Sequence, residues 1–163
     1  MKTGKITVMA LAIALAMVLS FVESQIPAFV AVPGVKVGLA NIAVVFVLYK
    51  LGWKEAVVIS LVRVFMVSLL FGSIMSLFYS VAGAVLSLAG MILLKKSGLF
   101  SHVAVSVVGG VLHNVGQIAM ACVILETNVI KYYLPFLVFS GVVAGIVVGL
   151  VAAVMIKRVN IKL

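Results

Sequence analysis

The chain is 163 residues long, 66% hydrophobic and 9% charged, with a mean hydropathy of +1.46. A soluble domain gives about a quarter of its residues to charge, so this composition excludes a water-soluble domain and reads as one integral membrane domain covering residues 1–163. The net charge of +9 does not point to nucleic acid, because the lysines and arginines stand at the edges of apolar runs, as topology signals do.

A bilayer core of about 30 Å asks for roughly 20 apolar residues in a helix. Six runs approach that length, at residues 6–22, 37–51, 56–71, 74–94, 103–125 and 132–156. They show none of the strict alternation of a membrane β-barrel, which predicts an all-α protein of six transmembrane helices in a compact bundle. The first run follows Lys2 and Lys5, as in a signal peptide. It is long for a signal peptide's apolar core, however, and "FVESQIP" is a poor cleavage site, so a retained helix is expected. It carries two small-residue pairs four apart, Ala10/Ala14 and Ala12/Ala16.

Between the first two runs, Glu23 to Lys36 interrupts the apolar pattern with a carboxylate, Gln25, two prolines (Pro27 and Pro33) and a lysine. The second run carries Asn41 one to two turns inside its outer end, the third has Arg63 near its middle, and a tight turn at Gly72–Ser73 leads into the fourth. The fifth carries His113, Asn114 and Gln117, whose spacings of three and four put them on one helical face with Gly110. The sixth carries Gly141, Gly145, Gly149 and Ala153, a stripe that lets helix backbones approach closely. Cys122 is the only cysteine, so there is neither an intrachain disulfide nor a cysteine metal cluster.

If every run crosses, one side collects nine cations, Lys2, Lys5, Lys50, Lys54, Lys95, Lys96, Lys157, Arg158 and Lys162, and the other only Lys36 and Lys131. This bias places both termini in the cytoplasm and Glu23–Lys36 outside. Ionisable groups inside a span are costly and tend to face a cavity or a partner. Glu23, Gln25, Lys36, Asn41, Arg63, His113, Asn114 and Gln117 are therefore the candidate substrate-binding residues. For Arg63 the alternative is a structural cation paired with carbonyls or with Glu23, and for His113 and Asn114 a hydrogen bond across helices.

Catalysis has little to work with. There is no P-loop, no nucleophile elbow and no aspartate, and the three glutamates, Glu23, Glu55 and Glu126, are far apart in sequence. Neither a metal site nor another cofactor is expected, since clustered carboxylates are what would hold Mg²⁺ on a diphosphate.

"VPGVKVGLANI" (Val32–Ile42), "HNVGQ" (His113–Gln117) and the six short spans together resemble the heptaprenyl diphosphate synthase component I family, also called the Gx transporter family. That family is in turn similar to the substrate-binding S components of energy-coupling factor importers. These are six-helix proteins with cytoplasmic termini that dock on a transmembrane coupling subunit, driven by two ATPases, through small-residue patterns in helix 1. The resemblance implies partner docking through Ala10, Ala12, Ala14 and Ala16 of "MALAIALAMVLS". It implies a bacterial cytoplasmic-membrane subunit that captures a solute from outside, without chemistry on it, and the charges Lys36 and Arg63 against the one carboxylate Glu23 point to a small anionic or amphipathic solute. The alternative it carries is an accessory, non-catalytic membrane subunit of a polyprenyl diphosphate synthase. Chain elongation by such synthases requires aspartate-rich motifs, and this chain has no aspartate.

Overall fold

A computed structural model describes residues 2–25, 38–127 and 129–161. Every element in them is helical: α1 (Lys2–Gln25), α2 (Asn41–Lys50), α3 (Trp53–Phe71), α4 (Ile74–Ser97), α5 (His102–Ile124) and α6 (Leu134–Arg158), with a 3₁₀ turn at Val129–Tyr133 before α6. Local chemistry sets several of the ends. Ser73 and Ser101 cap α4 and α5, their hydroxyls accepting from the amides of Ser76 and Ala104 at 3.2 Å. Gly98 closes α4 in the left-handed conformation, φ 69°. A proline in the first turn opens α6, where its missing amide costs nothing.

Six α-helices are present, as expected. Among the described residues, four helical stretches are long and apolar enough to cross a membrane, Thr3–Glu23, Ile74–Ser97, His102–Ile124 and Val129–Arg158. α3 has 19 residues but carries Lys54, Glu55 and Arg63. α2 has only 10 residues, a rise of about 15 Å and half the thickness of a bilayer core. The run from 37 was expected to be helical throughout, yet a turn at Gly38–Ala40 precedes the helix, with Gly38 at φ 89°. Ile42 through Leu48 are all buried, so α2 is a core helix enclosed by the others.

The helices alternate in direction. On α6, an added Cβ at Gly141, Gly145 and Gly149 would meet backbone at Gly110, Val107 and Val103 respectively, numbers that run down α5 as they run up α6. At Gly145 the clearance to the Val107 Cα would be 2.5 Å. The other flank of α5 meets α4 in the same way, with Gly116 against Ala82 and Gly83 and Gly109 against Met91. The glycine stripe of α6 thus serves internal packing, by the close backbone approach that membrane helices depend on.

One end of the bundle gathers the cations. Lys5 at the start of α1 pairs with Glu55 at the start of α3 at 2.5 Å. Lys95, ending α4, donates to the Leu48 carbonyl at the end of α2. Tyr49 meets His102 at the start of α5 in a tilted ring contact, centroids 4.3 Å apart, and Lys54 and Lys96 lie 5.6 and 6.0 Å from the Trp53 ring. The charge segregation expected from sequence is therefore a geometric feature of the bundle.

Candidate functional site

Because α2 stops half-way, the space above its N-terminus is lined by side chains from its neighbours. Arg63 lies ten residues beyond Trp53, and Asn41 nine before Lys50, so both stand about 15 Å from the cationic end. Around them is a cavity of about 30 Å³ lined by Ser20 and Glu23 of α1, Gly38, Asn41, Arg63, Val64, Val67 and Ser68 of α3, Ser80 of α4, and His113 and Gln117 of α5. Helical spacing explains the composition: 20 and 23, 63 and 67, and 113 and 117 each fall on one face. The volume is on the order of one or two waters. It is a compact polar seat, with no room yet for an organic ligand.

Its polarity is unusual for so apolar a chain. Arg63 is 8% exposed and Glu23 6%, and Ser20, Ser68, Ser80, His113 and Gln117 are buried with them. The Glu23 carboxylate and the Arg63 guanidinium attract each other across the cavity. Glu23 also accepts a hydrogen bond from the Gly38 amide, tying the end of α1 to the turn before α2. No side chain caps α2, so its positive dipole end adds to the field at Asn41. Among the lining residues one guanidinium is balanced by one carboxylate, and the helix end adds a partial positive charge beside them.

Of the residues singled out from sequence, Glu23, Asn41, Arg63, His113 and Gln117 share this cavity. Lys36 lies outside the described residues, as do Pro27 and Pro33. Gln25 is exposed and does not line the cavity. Asn114 does not line it either: its amide donates to the Leu137 carbonyl at 2.7 Å, joining α5 to α6. That is the helix-to-helix role weighed above, and it follows from a 100° step that carries Asn114 off the face shared by His113 and Gln117. Among the described residues, no group of three metal-ligating side chains assembles.

The alanines divide as well. Ala12 and Ala16 are buried, Ala16 against Ala40 and Ala43, so they pack within the chain and are withdrawn from the docking surface expected of all four. Ala10 and Ala14 are exposed. Sequence reasoning missed Ser20, Gly38, Ser68 and Ser80. Ser20 could have been found from its i−3 relation to Glu23. Ser80 gives no such signal, since serine in an apolar helix commonly bonds its own backbone.

The chain matches the family described as heptaprenyl diphosphate synthase component I over residues 12–155. It belongs to that family. The matched region includes every residue of the cavity and both glycine seams of α5. No curated protein and no solved structure matches it. The family description names one component of a synthase, in keeping with a chain that carries no catalytic motif of its own.

Proposed function

We propose that this chain is a non-catalytic, multi-pass subunit of the cytoplasmic membrane that holds the anionic group of an amphipathic ligand at Arg63, in association with a catalytic prenyl diphosphate synthase component. The observation that carries the binding role is the buried Arg63 in a polar cavity at the level where α2 ends. A buried charge is expensive unless it is compensated, and the anions available within the chain are few. Glu55 is paired with Lys5 and Glu126 is exposed in the loop after α5, which leaves Glu23. The family description supplies the ligand class and the partner: a component I implies at least one other component, and the product it names is a diphosphate on an apolar chain. The guanidinium fork suits phosphate oxygens in a way a lysine ammonium does not.

A second reading, solute capture for an energy-coupling-factor importer, is favoured by one observation, the exposed Ala10/Ala14 pair on α1. A small-residue stripe on an outward helical face fits close docking of a partner membrane helix. On either reading both termini are cytoplasmic, the cationic end facing inward.

Affinity purification from native membranes distinguishes the two. An aspartate-rich prenyltransferase in the eluate supports the first, and a coupling subunit with ATPases replaces it with the second. In purified protein, Arg63→Lys should weaken binding of geranyl diphosphate and Arg63→Gln should weaken it further. Undiminished binding by a folded Arg63→Gln protein refutes the Arg63 site on both readings.

A further inference from the structure

The cavity poses a problem for any ligand. At about 30 Å³ it accepts little more than a water or two, so an anionic headgroup reaches Arg63 only if something leaves. Glu23 is the one carboxylate among the described lining residues. It is buried, attracted to Arg63, and held from behind by the Gly38 amide. It also stands near the C-terminal end of α1, two residues before Gln25. Its withdrawal therefore disturbs the end of one helix and not the glycine-packed interior of α4, α5 and α6. The remaining lining groups are either neutral or borne on long helices locked by close backbone contact.

We infer that Glu23 is a resident counter-ion, which occupies the anion seat at Arg63 in the empty protein and is displaced when the anionic group of the ligand arrives. The inference rests on the binding role proposed above and adds how that site is regulated. Exchange of one carboxylate for one incoming anion keeps the buried arginine compensated throughout, which avoids the large cost of an unpaired charge inside the bundle. It also lowers apparent affinity, because the ligand binds only the fraction of molecules in which the seat is open. And it makes ligand binding legible at a distance: the Glu23–Gly38 bond joins α1 to the turn before α2, so releasing Glu23 loosens α1, the helix that bears Ala10 and Ala14.

The test compares wild type with Glu23→Gln and Glu23→Asp in detergent, using inorganic diphosphate, geranyl diphosphate and geraniol as probes. If the seat is open in about a tenth of wild-type molecules, Glu23→Gln tightens both diphosphates about tenfold, Glu23→Asp falls between, and geraniol is unchanged. Tightening of geranyl diphosphate alone assigns the seat to a lipid-linked headgroup, and tightening of both assigns it to the diphosphate itself. The same variant should melt lower than wild type without ligand and recover on adding the tightened diphosphate, since the anion replaces the missing carboxylate. Should Glu23→Gln fold only with diphosphate present, that rescue is the same result. Equal or weaker diphosphate binding by Glu23→Gln, or the absence of any rescue, overturns the counter-ion. Provided Arg63→Gln still abolishes binding, the Arg63 site itself then stands. Diphosphate binding that persists in both Glu23→Gln and Arg63→Gln moves the ligand elsewhere and removes both.

Discussion

The two sides of this bundle are held together by opposite means. Around α5 the helices come close enough that Gly116 meets the α4 backbone and Gly110 the α6 backbone at Gly141, while Gly109 lies against the Met91 side chain, and an added methyl group would crowd each. Around α2 the helices enclose a polar cavity, with a guanidinium, a carboxylate, an imidazole and hydroxyls at its wall. Residues without rotamers to lose suit close packing of helices. The contrast sets close glycine packing along α4–α5–α6 against a charge-lined cavity where α1, α2 and α3 meet the faces of α4 and α5 that carry Ser80, His113 and Gln117.

The largest effect should come from breaking the dense side. In Gly145→Leu the new Cβ would stand 2.5 Å from the Val107 Cα, and backbone cannot rotate aside as a side chain can. The expected loss is about 3 kcal/mol or more, read as a lower melting temperature in detergent or as failure to purify as a monodisperse species. Gly145→Ala should already be measurably destabilising. If Gly145→Leu melts like wild type, α5 and α6 are not in the close contact described.

Next in size is the charge pair. Arg63→Met leaves Glu23 buried without its cation, a change that costs about 3–5 kcal/mol in buried pairs. Removing both, as Arg63→Met with Glu23→Leu, should regain most of that loss, because it is the orphaned charge that is expensive. A double variant as unstable as the single would mean that the two residues do not act as a pair. This cycle tests stability alone and is independent of any ligand.

How much of this was legible beforehand follows the same division. The apolar runs announced the helices, because a long apolar run has few alternatives in a bilayer. The charge bias announced which ends lie together, and Lys5, Lys54, Lys95 and Lys96 are held at one end by Glu55, Trp53 and the Leu48 carbonyl. Arg63, His113 and Gln117 stood out as polar residues in apolar surroundings. What stayed hidden was direction. Asn114 neighbours His113 in sequence but faces α6, and Ala12 and Ala16 share a helix with Ala10 and Ala14 yet face inward. Periodicity groups residues by face, but it does not say which face a neighbour will cover. The short length of α2 was hidden too, because hydropathy does not register the turn at Gly38.

The cationic end offers a smaller effect of defined sign. The Lys5 ammonium donates to Glu55 and, with Glu55's own backbone amide, holds its carboxyl below the usual glutamate range. A carboxylate held low contributes stability above its unfolded pKa of about 4.3, and that contribution is lost as pH falls through the lower folded value. Wild type should therefore lose a little stability on acidification below about pH 4 that Glu55→Gln does not lose. Lys5 is 42% exposed, so the effect is about 1 kcal/mol or less. Superimposable acid limbs for the two proteins would show that this pair contributes nothing.

The smallest effect, that of Ala14→Leu, is set against its neighbour on the other face of α1. Ala16 has no exposed surface and packs on Ala40 and Ala43, so Ala16→Leu forces α1 and α2 apart and should cost about 1–3 kcal/mol. Ala14 is exposed two residues away, on the outward face of the helix. Ala14→Leu should leave the melting temperature within about 0.5 kcal/mol of wild type. Any loss of partner co-purification in that variant can then be assigned to the outward face, because the fold is intact and Glu23, about two and a half turns along the same helix, is undisturbed. The same loss in Ala16→Leu would carry no such meaning, since repacking α1 also displaces the end of the helix that holds the counter-ion. Equal partner recovery by Ala14→Leu and wild type would remove α1 as the docking helix, and with it the observation that favours the importer reading.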